Sequence, residues 1–374
     1  MSADRQAPAT ATAGEGRRQG RVSIKDVAAA AGVSWKTVSN VVNGTGRVGA
    51  ETRARVEEKI AELGYRPNIA GRQLRQGRTK TLALVVPWVH SPYFSALAHS
   101  VIEAAGARGY QVLIEETRTD REVELQVARG FEVHAIDGII FSPLAIGPGE
   151  IAQVRGETPM VLLGERDDPG RTGGWGADHV SIDNVLAARE ITEHLLSTGR
   201  RRLAFLGAEP SALDDPRRSG TLRVQGFWAA HEAQGLEPDA RWILPAREFS
   251  RVSGASVVEE VLPRIGQVDG LVCANDELAL GALFALRRNG VRVPQDLAVT
   301  GWDNIEDGRY SWPTLTTVAP DLQAIAEISV AQLLRQVEGD GRAAGPDDAV
   351  EVVVAHRVLV RESSREQASE SAGR

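Results

Sequence analysis

Two groups of residues in this chain have the types and spacing to do chemistry. The first lies in Ser34 to Asn43 (SWKTVSNVVN), where Val38, Val41 and Val42 recur at helical spacing and leave Trp35, Lys36, Ser39 and Asn40 on the opposite face. Asparagine pairs with adenine through two hydrogen bonds and lysine reaches O6 or N7 of guanine, so this face carries the groups that read base edges. Ser34 stands where a hydroxyl caps the helix, and Thr37 is placed to meet a phosphate or to pack. The second group is dispersed. Polar and aromatic residues follow apolar runs: Trp88, His90, Tyr93 and Phe94 after LALVVP, Ser142 after DGIIF, Glu165 after VLLG, Asn275 and Asp276 after GLVCA, and Asp303 and Asn304 after VTGW. With Arg223, early in a helical stretch, they offer donors and acceptors for vicinal hydroxyls and flat rings for an apolar sugar face. Each has a plainer reading too: Asp303 or Asp276 as a helix cap, Arg223 in a surface ion pair, Trp302 or Phe94 in the core.

These residues need elements to position them. Between Val22 and Gly64 apolar residues recur every three or four positions, which predicts three short helices. Ser23 with Asp26 forms a capping box, and Gly64 supplies a left-handed stop. DVAAAAG from Asp26 to Gly32, a turn, and the second helix make a helix-turn-helix whose second helix enters the major groove. Beyond Tyr65 the texture changes to apolar runs (TLALVVP, YQVLIEET, DGIIFSP, PMVLLGE, RRLAFLG, GLVCAND, LAVTGWD), with helical stretches at Tyr93 to Arg108, Val185 to Thr198, Thr221 to Gln234 and Asp276 to Asn289. Strand runs alternating with helices predict a doubly wound α/β architecture of parallel sheets in two similar lobes, with ligands held beyond the carboxyl ends of the strands.

Composition removes several classes. The chain has 374 residues, a net charge of −7 and no apolar run that could span a membrane. One cysteine, Cys273, makes no internal disulfide and reads as a small buried hydrophobe, and the first residues lack the apolar core of a secretory signal, so a reducing cytoplasm is expected. Residues 1 to 80 hold 15 Lys and Arg against 7 Asp and Glu, so one end of an acidic protein is basic, as a nucleic-acid contact requires. Against an enzyme, there is no P-loop, HExxH, CxxC or GxSxG, the seven histidines lack metal-ligand spacing, and the pairs Asp167-Asp168 and Asp347-Asp348 sit in turn-like surroundings. No cofactor or metal is expected. Gly44 to Gly49 fits GxGxxG but follows a helix instead of a strand, so it is no dinucleotide loop.

VSIKDVAAAAGVSWKTVSNVVNG followed by ETRARVEEKIAELGYRPN resembles the N-terminal module of the lactose-repressor (LacI) family of bacterial transcription regulators, and the likeness runs from Val22 to about Ser363. It implies a DNA-binding domain at 22–67, a hinge helix and linker at 68–79, and a two-lobed periplasmic-binding-protein-like sensor and dimerisation domain at 80–362, while the composition of 1–21, without periodicity, and of the polar 363–374 reads as disordered tails. Asn68 and Leu74 match DNA contacts of the hinge, Leu74 as a wedge between base steps of the minor groove. Gly71 and Gly49 depart from the usual pattern, the first weakening the hinge helix by ~1 kcal/mol, the second standing where a Ser cap often begins the third helix.

In the sensor the resemblance assigns effector contacts to Arg223 in LRVQGF and Asp303 in GWDN, then Asn275, Phe94, Tyr93, His90 and Ser142, with Asp276 as a helix cap. Three chain crossings between lobes are implied near 181–184, 318–320 and 346–350. The expected protein is a homodimeric repressor of carbohydrate-use genes that binds a near-palindromic double-stranded operator and answers to a sugar. A purine-responsive repressor and a DNA binder without a ligand stay open. Helices at Ile102 to Ala107 and Ile325 to Val337 are candidate dimer contacts, and the polar end ESSREQASESAGR, lacking leucine heptads, favours a dimer over a tetramer.

Overall fold

A computed structural model describes residues 22–66, 78–130, 136–164, 176–208, 219–339 and 349–365. The chain divides into two compact units, Met1–Gly77 and Arg78–Arg374. In the first, helices α1 (Ile24–Ala31), α2 (Trp35–Asn43) and α3 (Ala50–Leu63) enclose Val27, Ala28, Ala31, Val38, Val41 and Val56. The expected capping box is present, with the Ser23 amide donating to Asp26 Oδ2 at 2.8 Å and the Asp26 amide returning to Ser23 Oγ at 3.4 Å. Gly32 and Gly64 end their helices in the left-handed conformation, at φ 63° and 62°. Gly49 begins α3 without a side-chain hydrogen bond, as its lack of a hydroxyl dictates.

The second unit holds two six-stranded sheets. Lobe 1 has the order β11-β5-β4-β3-β1-β2, all parallel, from β1 (Thr81–Val86), β2 (Gln111–Glu116), β3 (Gly138–Phe141), β4 (Met160–Gly164), β5 (Asp178–Ile182) and β11 (Glu351–Val354). Lobe 2 has β12-β10-β9-β8-β6-β7, from β6 (Leu203–Ala208), β7 (Ile243–Pro245), β8 (Gly270–Cys273), β9 (Ala298–Trp302), β10 (Thr316–Pro320) and β12 (His356–Leu359); only the β10–β12 pair is antiparallel. Helices α4 (Pro92–Gly106), α5 (Arg121–Arg129), α6 (Pro148–Val154) and α12 (Leu322–Glu338) serve lobe 1; α7 (Asn184–Ser197), α8 (Ser219–Ala233), α9 (Arg251–Val261), α10 (Asp276–Arg288) and α11 (Glu306–Tyr310) serve lobe 2. Strands such as β1, β3 and β6 are almost wholly buried because helices cover both faces of a parallel sheet.

Some expectations need correcting. The chain passes between the sheets at Asp183 after β5, within the expected 181–184, at Asp321 after β10, one residue past the expected 318–320, and at Ala355 between β11 and β12, beyond the expected 346–350. Ser363 and Ser364, placed in the tail for their polar composition, are fully buried: Ser363 Oγ accepts from the Thr316 amide at 2.8 Å and donates to Val299 O at 2.7 Å, and Ser364 Oγ pairs with Thr316 Oγ1. Of the two candidate dimer helices, Ile325 to Val337 buries Ile325, Val330, Leu333 and Val337 in the core and turns Glu327, Ala331 and Arg335 outward, while Ile102 on α4 is exposed. Strands β5, β7, β10, β11 and β12 were absent from the sequence reading. β5 (DHVSI) shows why, since its buried positions include Asp178 and His179.

Asp178 makes that polar strand tenable. It accepts from the Val350 amide at 2.9 Å and from Gln336 Nε2 at 3.1 Å, and Arg335 lies 3.5 Å away, so one carboxylate joins β5, α12 and the approach to β11. Truncation would leave the buried Gln336 amide without this acceptor, while Arg335 and the Val350 amide can turn to water. Asp178→Ala is therefore expected to destabilise the second unit by about 1–3 kcal/mol, read as a lower urea midpoint, whereas an unchanged midpoint would make the network dispensable.

Candidate functional site

On the outer side of α2, Trp35 and Lys36 are exposed and Ser39 and Asn40 are half-buried. Trp35 is 48% exposed and Lys36 is open to solvent. Ser34 Oγ accepts the Thr37 amide at 3.1 Å and bonds Thr37 Oγ1 at 2.9 Å, so both hydroxyls engage each other at the helix start. Ser39 Oγ accepts from Asn43 Nδ2 at 3.1 Å. Asn40 is half-buried against Gly46, where an added Cβ would stand 2.8 Å from Asn40 Nδ2. The loop after α2 thus braces Asn40, a constraint hidden inside the GxGxxG decoy. Asn68 and Leu74, with most of the hinge helix and linker expected at 68–79, lie outside the described residues, as do Gly71 and Glu165.

In lobe 2, Arg223, Asp303 and Asn275 come together at the carboxyl ends of β8 and β9. Arg223 lies over the Trp302 ring at 4.0 Å from its centroid, donates through Nε to Asn184 Oδ1 at 3.0 Å, and donates through Nη1 to the carbonyl of Ala274. Asn184, the first residue of α7 and buried, is a member of this cluster that sequence reasoning missed; it was legible only as a crossing boundary. Asp303 adopts φ 104° and Asn304 φ 55°, left-handed values that non-glycine residues adopt at a cost and that concentrate at functional sites. Burial pushes the Asp303 carboxyl well above its ordinary range, Arg223 pulls it back down, and Asp276 and Glu277 add to the rise.

The expected helix cap is Asp276, but the structure gives that role to its neighbour Asn275. Asn275 is the cap of α10, its Oδ1 accepting the Leu278 amide at 2.9 Å, and its Nδ2 donates to Phe249 O at 3.2 Å. Asp276 is not a cap: it accepts the Ile305 amide at 2.9 Å and the Thr317 hydroxyl at 2.7 Å. Cys273 is buried as expected, and burial pushes its thiol up. Lobe 1 contributes Tyr93 and Phe94, half-buried and edge-to-face at 5.0 Å, and Ser142, buried at the end of β3. His90 is exposed on the loop after β1 and exerts an attraction on both Glu116 of lobe 1 and Glu277 of lobe 2. That loop is fixed by the Val89 amide donating to Glu116 at 2.9 Å. The lobe 2 cluster offers a cation on an indole beside an acid, and lobe 1 offers a pair of aromatic rings; these residues present no nucleophile–base pair, and among the described residues no cluster of His, Cys, Asp and Glu suits a metal.

A helix-turn-helix unit and a two-lobed unit of parallel sheets define the class of DNA-binding transcriptional regulators. Residues 23–68 match the bacterial regulatory proteins of the lacI family, and residues 192–364 match the periplasmic binding protein-like domain. The transcriptional regulator DegA of Bacillus subtilis (strain 168) is 33% identical over 306 residues, covering 81% of this chain and 88% of that one. The transcriptional repressor PurR of Aliivibrio salmonicida (strain LFI1238) is 29% identical over 323 residues, covering 84% and 92%. Among solved structures, the complex of the transcriptional regulator CelR with cellobiose has a TM-score of 0.64 at 29% identity, covering 92% of this chain and all of the other. The chain belongs to the LacI family of DNA-binding transcriptional regulators. No helix among the described residues is long and apolar enough to cross a membrane.

The acids at the site carry a consequence for stability. Burial raises the pKa of Asp276 from 3.8 to about 7, against the Thr317 hydroxyl and the Ile305 amide, with Arg361 also lowering it. Between these values the native state holds a proton that the unfolded chain has lost, so the stabilisation is complete below about pH 4 and is lost as pH rises to about 7. The loss from this group reaches on the order of 4 kcal/mol. Asp303, shifted in the same direction, adds to it. Urea unfolding at stepped pH should show the stability of the wild type falling relative to that of Asp276→Asn across this interval; parallel curves would remove Asp276 as the cause.

Proposed function

We propose that this protein is an effector-controlled repressor of carbohydrate-use genes, acting as a cytoplasmic homodimer on a near-palindromic operator, with a sugar held between the sensor lobes. The observation that carries the ligand half is the Arg223 guanidinium lying on the Trp302 ring beside Asp303. Arg223 and Asp303 supply a fixed donor and acceptor for neighbouring hydroxyls, and Tyr93 and Phe94 supply an apolar wall from the other lobe. The CelR–cellobiose complex supports a saccharide. PurR supports the second reading, a purine stacked on the same rings. Effector control requires unequal affinity for the operator-competent and incompetent states, so an inducer prefers the second and a corepressor the first.

On the DNA side, Trp35, Lys36, Ser39 and Asn40 read the major groove, Ser34 and Thr37 sit at phosphates, and Asn68 and Leu74 engage the minor groove beside the operator centre. Two half-sites about one helical turn apart follow from dimer symmetry. The exposed Ile102 supports a dimer contact through α4.

Operator selection with the purified protein, repeated with mono- and disaccharides and with purines, tests the whole reading. A palindrome released or tightened by a saccharide is the expected result; a response to purines alone selects the second reading, and binding without sequence enrichment or response leaves a ligand-free DNA binder. Asp303→Ala should abolish the effector response while operator binding persists, and a variant that still responds would remove Asp303 from the pocket. Asn40→Ala should relax base preference at one position per half-site by about 1–3 kcal/mol. Gly46→Ala, which both strains a residue at φ 72° and displaces the Asn40 amide, should blur the same position. Unchanged preference in both variants would take Asn40 out of base readout.

A further inference from the structure

The carboxylate at the start of α10 has no part in capping, yet it is buried at 0% exposure beneath the turn that carries Asp303. Asp276 Oδ2 accepts the Ile305 amide at 2.9 Å, Oδ1 accepts the Thr317 hydroxyl at 2.7 Å, and the Trp302 amide also favours its charged form. The Ile305 bond therefore holds the far end of the stretch whose ends are Trp302 and Ile305. Between those ends lie Asp303 and Asn304 at φ 104° and 55°, and such backbone persists only where its surroundings over-determine it. Thr317 closes the arrangement, because Oγ1 also accepts the Asn304 amide at 3.3 Å. The space is fitted as well: a Cβ on Gly301 would stand 2.2 Å from Asp276 Oδ1, so β9 leaves room for this carboxylate and little more.

We propose that Asp276 is the positioning residue of the effector site: its carboxylate moulds the Trp302–Ile305 turn and so sets where Asp303 stands relative to Arg223. The proposal deepens the effector reading and rests on it. Asp276 touches no ligand itself. It acts by supplying acceptors that oppose the relaxation of two left-handed residues. A carboxylate serves all of these donors at once, whereas an amide of the same shape turns an N–H toward at least one of them.

The test uses the full-length protein as wild type, Asp276→Asn, Thr317→Val and Asp303→Ala, with two measurements. Amide hydrogen exchange without effector should speed up across 302–305 in Asp276→Asn, and less so in Thr317→Val, while β1 to β4 keep their rates. Release of labelled operator by the active compound of the saccharide and purine panel should need at least about tenfold more compound in Asp276→Asn. A capping or purely stabilising residue would lower the unfolding midpoint without moving either quantity selectively. Unchanged exchange at 302–305, or an unchanged half-release concentration where Asp303→Ala loses its response, overturns the proposal. If no compound acts on the wild type, the effector reading fails, and exchange alone then decides whether Asp276 shapes the turn. Thr317→Val keeps the carboxylate in place, so the question stays open to measurement even if Asp276→Asn folds poorly.

Discussion

A guanidinium cannot shed its charge under any condition a cell offers, so wherever a helix carries one inward the fold must supply acceptors. Arg223 is that case. Its partners come from separate parts of the chain: Asn184 at the start of α7, the Ala274 carbonyl past β8, and the Trp302 face at the end of β9. Asp303 adds a compensating acid, held above its ordinary range by the same burial that makes the arginine costly. Placing one cation therefore requires the ends of β8 and β9 to be brought level with α7 and α8, which the parallel register of lobe 2 provides.

Each lobe meets a related difficulty, the fixing of a loop beyond its strands, with a buried acid. In lobe 1, Glu124 on α5 is fully buried and accepts the amides of Leu144, Ala145 and Ile146, at distances from 2.8 to 3.2 Å, just past Ser142. Burial raises its pKa, and those amides pull it back. In lobe 2, Asp276 does the same for the turn that carries Asp303. A carboxylate suits this task because it accepts from several backbone donors at once, and a loop pinned by main-chain bonds leaves its side chains free to face a ligand.

Much of this was legible in the residues. The helices of the first unit follow from apolar spacing and caps, and the apolar runs became β1 to β4, β6, β8 and β9. What escaped has common causes. Strands β5 and β12 carry polar or charged residues whose tolerance depends on partners far along the chain, such as Gln336 and Arg335 for Asp178. Ser363 and Ser364 read as tail because composition cannot show that Thr316 and Val299 wait for their hydroxyls. Asn275 and Asp276 are neighbours of similar shape, and only the turn folded back over them decides which one caps the helix. Arg223 and Asp303 stood out through their motifs, but Asn184 had no signal of its own, since its role exists only once α8 lies beside α7.

The third crossing at Ala355 bears on how the chain is made. Lobe 1 takes its edge strand β11 from residues 351–354 and its covering helix α12 from residues 322–338, while lobe 2 takes β12 from residues 356–359 and is sealed by Ser363 and Ser364. A nascent chain leaving the ribosome can assemble β1 to β4 early, yet β5 stays an open edge until nearly all of the polypeptide has emerged. Neither lobe is a segment that synthesis can finish and set aside. Premature termination anywhere before the last strands leaves both lobes unsealed together, so translation yields a complete sensor or an exposed one that chaperones and proteases must handle.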